Sequence, residues 1–287
     1  MKTLQDVLAP AGSLCLAFSG GVDSSLLLAV AVGTLGADNV TALTAVSETY
    51  REEELARAAD LAERLGVRHV VAHTSELEDD CFSANPPQRC YTCKSYLLDE
   101  LAAVAAAEGR AVLADGANRD DLGDFRPGMQ AADERGVRHP LLEAGLGKAE
   151  VRRLSRVLGL STADLPAQAC LASRIPYGDR ITAEKLHQVA AAEDALRELG
   201  FWPCRVRHHG SIARVEVEEA QLGRAAGESR VQIVGRLKSL GFTYVTLDLG
   251  GLRSGSMNDI LNAVGGLPAS APGHTAPDTP DDVSKGR

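Results

Sequence analysis

The sequence predicts an α/β fold: a parallel sheet covered by helices on both faces, followed by a smaller ferredoxin-like α+β unit. Three observations predict it. Short apolar runs alternate with amphipathic helical stretches through the first half, and such alternation belongs to parallel sheets, whose crossovers are helices. A Ser-Gly-Gly turn separates the first apolar run from the first helix, in "LCLAFSGGVDSSLLLAVA". Near Ile181 the rhythm changes to helix, strand, strand, helix, strand, close to the order of a ferredoxin-like unit.

In chain order, "SLCLAF" reads as a buried strand and "SSLLLAVAVGTLG" as a helix. "VTALTAV" is a second strand, and "REEELARAADLAERLG" follows as a helix with Leu55, Ala58, Leu61, Ala62 and Leu65 on one face. "VRHVVAH" and "RAVLADG" are further strands, with the helical "CKSYLLDELAAVAAAEG" between them. Ligands in such sheets sit beyond the carboxyl ends of the strands. In the second half "TAEKLHQVAAAEDALRELG" is helical, and "CRVRHH" and "IARVEVEE" alternate as strands. "SRVQIVGRLKSLG" is a helix and "YVTLDLG" a last strand. The resulting division is 1–165 for the parallel domain, 166–181 for a connector carrying Cys170, and 182–264 for the C-terminal unit. Residues 265–287, rich in Pro, Ser, Thr and Asp, form a disordered tail, because they bury too little to offset the entropy of ordering.

Composition narrows the function classes. A net charge of -9 argues against a general nucleic-acid binder, which needs surplus Lys and Arg to neutralise phosphates. Aromatic residues are only 4% of the chain, so the core is built from Ala, Leu and Val. No apolar run approaches the roughly 20 residues of a membrane span, and "MKTLQDVLAP" lacks the charged and apolar regions of a secretory signal. The expectation is a cytoplasmic protein whose six cysteines are reduced thiols, ligands or reactants.

The turn Ser19-Gly20-Gly21-Val22-Asp23-Ser24-Ser25 lies where a strand ends and a helix begins. Adjacent glycines allow a tight turn and close approach to a ligand, and a helix N-terminus favours an anion. Ser19, Ser24 and Ser25 add hydroxyls, and Asp23 can orient the loop or magnesium. It is not a Walker A loop. The nearest imitation, "EAGLGKAE", lacks the first glycine and the final hydroxyl, so it reads as a helix start with Lys148 facing solvent. The heptad resembles the PP-loop of the ATP pyrophosphatase superfamily. That resemblance implies a PP-loop (adenine nucleotide alpha hydrolase-like) domain that splits ATP between its α and β phosphates and adenylates an acceptor.

Further stretches narrow the branch: "RCYTCKSYLLDEL", "LADGANRDDLGDFRPG", "PAQACLASRIPYGDRIT", "RVRHHGSIARVEV" and "LDLGGLRSGSMN". Together, over residues 10 to 260, they resemble the LarE family of ATP-dependent sulfur transferases. The resemblance implies adenylation of the carboxylates of pyridinium-3,5-biscarboxylic acid mononucleotide and their conversion to thiocarboxylates. The product leads to the nickel-pincer nucleotide cofactor of lactate racemase. It also implies ATP and magnesium as cofactors, a small-molecule nucleotide substrate, no nucleic-acid or membrane partner, and a homo-oligomer, commonly a hexamer.

In one family subgroup a single cysteine, matching Cys170, gives up its own sulfur and becomes dehydroalanine. In another, three cysteines hold a [4Fe-4S] cluster that carries the sulfide. This chain has Cys170 and also Cys90-x-x-Cys93, a three-point set that leaves one iron open, so the cluster mode is favoured. A closed zinc site is disfavoured, because these motifs contain no partner His. Cys15 reads as a small core residue.

The remaining candidates have two readings each. Lys94 suits phosphate or adenylate charge, or is an exposed helix-start lysine. Arg174 supplies positive charge near Cys170. Arg205 and Arg207 share a strand face and suit a phosphate-bearing substrate, or form a solvated basic face. Glu193, Glu216 and Arg253 match the family's active-site acids and arginine, and each could equally be a surface charge. Asp115 and Gly116 end a strand beside the nucleotide, with Asn118 and Asp121 as weaker candidates. His208 and His209, adjacent on a strand, point to opposite faces and do not share a metal. The competing classes are tRNA thiolation, which calls for a basic RNA surface, an amidating synthetase, which leaves Cys170 without a task, and a non-enzymatic nucleotide-binding regulator.

Overall fold

The computed structural model describes residues 3–110, 112–123, 127–166 and 170–253. Strands β1 (Leu14–Ala17), β2 (Val40–Val46), β3 (Arg68–His73) and β4 (Val112–Ala114) form a sheet in the order β3-β2-β1-β4. Every pairing is parallel. The helices around it are α1 (Leu4–Leu8), α2 (Val22–Leu35), α3 (Glu52–Arg64), α4 (Asp80–Ser83), α5 (Arg89–Ala107), α6 (Pro127–Asp133), α7 (Pro140–Glu143) and α8 (Lys148–Val157).

The central strand shows why both faces are covered. β1 is buried along its whole length, and alternation sends its side chains to opposite sides. Leu14 and Leu16 pack with Leu27, Leu28, Leu61 and Val151. Cys15 and Ala17 pack with Leu98, Leu101 and Ala132 on the other face. Cys15 is a core residue, as expected, and burial pushes its thiol up to about 11. The register Leu14↔Val40 and Leu14↔Val112 brings the carboxyl ends of β1, β2 and β4 to one edge, where the glycine turn follows.

The C-terminal part carries α9 (Ala183–Glu198), β5 (Cys204–His209), β6 (Ile212–Val217), α10 (Leu222–Ala226), α11 (Arg230–Ser239) and β7 (Tyr244–Leu247). The strand order is β5-β6-β7. β5 and β6 form an antiparallel hairpin with Arg205 opposite Glu216, and β7 runs parallel to β6. The order of elements and the three strands among the described residues are those expected, and a crossover through α10 and α11 sets the third. Val206, Val215 and Val217 pack inward on Leu196, Phe201 and Leu237.

Both sheets lie within one compact unit, and the connector is tied into it. Leu171, Ala172 and Ile175 join Phe82 of α4 and Leu186 and Val189 of α9 in an apolar pad. Buried Asn85 donates its amide to the carbonyls of Ile175 (3.1 Å) and Pro176 (2.6 Å), and its Oδ1 accepts from Arg89 of α5 (2.8 Å). These contacts hold the segment after Cys170 against the start of α5, where Cys90 and Cys93 sit. Among the described residues no helix is long and apolar enough to cross a membrane. The tail 265–287 lies outside the described residues.

Candidate active site

β1 delivers the chain to Ser19, and α2 begins at Val22 with Gly21 as its N-cap. Gly20 takes φ +67°, and a Cβ there would stand 3.1 Å from the Ala58 Cβ of α3. A side chain would thus be strained and crowded at once, which is why the turn needs glycine. Ser19 and Ser24 share a hydroxyl contact of 3.1 Å, and the Ser24 hydroxyl donates to the Gly21 carbonyl (3.3 Å). The Ser25 hydroxyl is fully buried without a hydrogen-bond partner. With the free amides of the helix start, these groups make a small cradle for an anion.

Around the cradle the structure gathers residues from distant parts of the chain. A Cβ on Gly116 would lie 3.0 Å from the Ser24 amide, so the chain leaving β4 abuts the turn. Asn118 donates to Asp23 (3.2 Å). Lys148, expected to face solvent, instead pairs through Nζ with the Asp23 carboxylate. The helix start read in "GLGKAE" is α8, with the Gly147 amide donating to Glu150 (3.1 Å). Packing of α8 against α2 aims its first residue at the turn.

Lys94 meets Asp115 at 2.9 Å, and Asp115 also contacts His139 Nδ1 at 2.6 Å. Burial alone would raise Asp115, but Lys94 and His139 outweigh it and hold the carboxyl well below the usual range. The hydrogen bond to Asp115 in turn raises His139 against the effect of burial. The depressed carboxyl contributes stability above its ordinary 3.8, lost as pH falls. The raised imidazole contributes stability below its ordinary 6.5, lost as pH rises through its folded value. Urea unfolding should therefore separate wild type from His139→Gln more at about pH 5.5 than at about pH 8.5. An equal gap at both contradicts the pairing.

The second cluster lies at α9 and the β5–β6 hairpin. Glu193 is buried and accepts from Arg174 Nε (2.6 Å), Arg51 (2.5 Å) and the Val206 amide (3.1 Å). Burial would raise its carboxyl, but Arg174 and Arg51 hold it below the ordinary range. Arg207 binds Glu216 through two bonds of 3.0 Å and donates to the Ser173 carbonyl (2.7 Å). Arg205 donates to the Arg253 carbonyl (2.9 Å). Burial, then the charges of Arg174 and Arg207, lower its pKa, a setting that a bound anion would relieve. The guanidinium of Arg174 is thus committed to Glu193 and to the Ser173 hydroxyl (2.8 Å).

Cys170 is exposed at the head of a short 3-10 turn, Leu171–Arg174. Cys90 is exposed and Cys93 half-buried in the first two turns of α5. Burial pushes the Cys93 thiol up, and Cys170, Glu76 and Cys90 push it further, so the three predicted cysteines share one neighbourhood. Cys93 Sγ lies 3.6 Å from Glu76, a buried acid whose other oxygen has no hydrogen-bond partner. Among the described residues no group of three or more His, Cys, Asp or Glu is arranged to hold a metal ion. None of the six cysteines is in a disulfide. His208 packs on Phe242 and contacts Gln188 (3.1 Å), a structural setting apart from His209.

Sequence reasoning missed Tyr50, Arg51, Glu76, Asn85 and His139. Tyr50 donates its hydroxyl to the Ser19 carbonyl (2.7 Å), and the Leu171 amide donates to the Thr49 carbonyl (3.4 Å). A cavity of about 630 Å³ opens beside them at the ends of β2 and β3, lined by Ser47, Tyr50, Arg51, His73, His187 and Asp194 among others.

The NAD synthase family matches residues 2–86, which hold the glycine turn and the first three strands. Pyridinium-3,5-bisthiocarboxylic acid mononucleotide synthase of Lactiplantibacillus plantarum is 44% identical over 260 residues, covering 90% of this chain and 94% of that protein. Protein slr1717 of Synechocystis sp. is 47% identical over 247 residues, 86% of this chain and 92% of its own. The NH(3)-dependent NAD(+) synthetase of Chlorobaculum tepidum is 37% identical over 75 residues, 26% of this chain and 27% of that enzyme. That synthetase matches part of the chain, whereas the pyridinium nucleotide synthase matches through the cysteine connector and the arginine hairpin as well. The chain belongs to the LarE family, within the PP-loop ATP pyrophosphatase superfamily.

Proposed function

We propose that the protein is an ATP-dependent sulfur transferase that converts the carboxylates of pyridinium-3,5-biscarboxylic acid mononucleotide to thiocarboxylates, releasing AMP and pyrophosphate. One observation carries the reading. Thr49 and Tyr50, adjacent residues, contact the residue after Cys170 and the first residue of the glycine turn, so a phosphate cradle and an exposed thiol border the same segment.

A carboxylate resists attack because its oxygen leaves poorly. In the first step a substrate carboxylate oxygen attacks the α phosphorus of ATP, the α–β bond breaks, and pyrophosphate leaves. In the second, sulfur attacks the activated carbonyl, a C–S bond forms, and the C–O bond to AMP breaks. Ser19, Gly20, Gly21, Ser24 and Ser25 bind the phosphates, and Lys94, Asp115 and Gly116 border the nucleotide. The cavity at β2 and β3 has the volume of a small-ligand site. Arg205, beside Arg174 and Arg207, takes the substrate phosphate, with Arg253 next to it. Glu193 and Glu216 hold Arg174 and Arg207 in place.

Magnesium fits as an ion carried mainly by the phosphates and water, with Asp23, steadied by Lys148 and Asn118, as its nearby carboxylate; when bound it offsets phosphate charge. The thiol donors Cys90, Cys93 and Cys170 would be the residues to hold a [4Fe-4S] cluster, which would supply the sulfide. A second reading has its own support, since Cys170 is exposed while Cys93 is half-buried and its thiol raised. There, Cys170 forms a thioester with the substrate. Loss of its α proton then breaks the Cβ–S bond, the sulfur keeps the electron pair, and dehydroalanine remains.

The test is protein purified under argon and given ATP and the pyridinium biscarboxylate nucleotide. Pyrophosphate and thiocarboxylate should form only with both present, and no acceptor-dependent pyrophosphate sinks the proposal. Iron and sulfide that need all three cysteines identify the cluster mode. A mass loss of one hydrogen sulfide identifies sacrifice of Cys170.

A further inference from the structure

The loop between β2 and α3 makes contacts that its local structure does not call for. The Thr49 carbonyl accepts from the Leu171 amide (3.4 Å), next to Cys170. The Tyr50 hydroxyl donates to the Ser19 carbonyl (2.7 Å). Arg51 spans two acids of α9, Glu193 at 2.5 Å and Asp194 at 2.8 Å. Three consecutive residues therefore hold the glycine turn, the cysteine connector and the buried carboxylate that orients Arg174.

Arg51 stands at the N-cap of α3, where its side chain makes no capping hydrogen bond. A cation there opposes the helix dipole, and the neighbouring exposed acids Glu52 and Glu53 would otherwise serve as its partners. Instead its side chain is only 11% exposed and committed to residues far along the chain. The loop is also stiffened from within: Ser47 and Thr49 share a hydroxyl contact of 2.9 Å, and the Tyr50 amide donates to the Ser47 carbonyl (3.0 Å).

We propose that Thr49–Arg51 is a positioning strap, in which Tyr50 and Arg51 fix the glycine turn, the Cys170 segment and Glu193 in one register, so that the activated carboxylate meets sulfur before water. The proposal rests on the sulfur-transfer reading above. An acyl-adenylate is open to hydrolysis, and a misplacement of about 1 Å can cost roughly 100-fold in an oriented reaction. The sensitive quantity is therefore the thiocarboxylate formed per pyrophosphate released.

The variants are Tyr50→Phe, Arg51→Gln and Arg51→Lys in the full chain, checked for folding by circular dichroism. Arg51→Gln should lower the thiocarboxylate-to-pyrophosphate ratio about tenfold or more, with Arg51→Lys intermediate. Tyr50→Phe, which deletes only a hydroxyl, should lower the ratio in the same direction. A role in stability alone lowers both products together, and an unchanged ratio overturns the proposal. A second arm needs no acceptor: the rate of Cys170 alkylation by iodoacetamide, read by peptide mass with and without ATP. ATP should change that rate in wild type and not in Arg51→Gln or Tyr50→Phe. The same response in the variants, or none in wild type, overturns the strap. If wild type releases no acceptor-dependent pyrophosphate, the functional reading fails, while the alkylation arm still decides the strap.

Discussion

Replacing Cys170 with alanine is expected to cut thiocarboxylate formation by at least about 10³-fold while acceptor-dependent pyrophosphate release continues. The separation follows from where the residue sits. Cys170 is exposed, so losing its thiol opens no cavity and costs little stability. Its neighbours Leu171 and Ala172 stay anchored in the apolar pad with Phe82 and Leu186, so the connector keeps its path. The glycine turn shares no side chain with Cys170, and adenylation needs none of its atoms. Cys15 and Cys204 are buried, and burial pushes their thiols up to about 11 and about 12. Cys90 and Cys93 are nearer, and their own alanine variants sort the sulfur source. Loss of product in all three variants points to a shared cluster, whereas one turnover surviving in Cys90→Ala and Cys93→Ala points to Cys170 as donor. Wild-type thiocarboxylate from Cys170→Ala contradicts both.

The second large effect is on stability. Glu216 is fully buried and Arg207 nearly so, joined by two bonds of 3.0 Å. Removing one partner of such a pair leaves a buried charge uncompensated and costs about 3–5 kcal/mol. Glu216→Ala should show that loss in urea unfolding, because Arg207 then faces Arg205 and Arg214 without its counterion. Replacing both partners, as in Arg207→Met with Glu216→Leu, should recover most of the stability, since apolar pairs of similar volume often match a buried ion pair. Activity should stay absent in the double variant. Arg207 also holds the Ser173 carbonyl (2.7 Å), three residues from Cys170, and no apolar side chain can do so. A Glu216→Ala protein within about 0.5 kcal/mol of wild type contradicts the assignment.

Much of this was legible in the chain because local signals carried it. The alternation of apolar runs and amphipathic helices gave the parallel sheet, and Ser-Gly-Gly after a buried strand marked the cradle. Gly116 was readable as the end of β4, a position that the parallel register brings beside the turn. What stayed hidden was long-range pairing. Arg51 opens the run Arg-Glu-Glu-Glu, which reads as a solvated helix start until Glu193, far along the chain, is placed beside it. Lys148 looks like any lysine at a helix N-terminus, and only the packing of α8 on α2 turns it toward Asp23. Asn85 and His139 carry no local pattern at all. Each works by satisfying groups that tertiary structure has already buried. The third strand of the small sheet is a similar case, since chain order allows β7 more than one neighbour and the crossover through α10 and α11 decides.

Activation of a substrate carboxylate as its AMP ester at the glycine turn underlies every step proposed above. It is tested most directly by giving the protein ATP and the pyridinium nucleotide labelled with ¹⁸O in its carboxylates, then weighing the nucleotide products. AMP should carry one ¹⁸O for each carboxylate activated, with unlabelled pyrophosphate. AMP without label, or ADP and phosphate as the products, contradicts it.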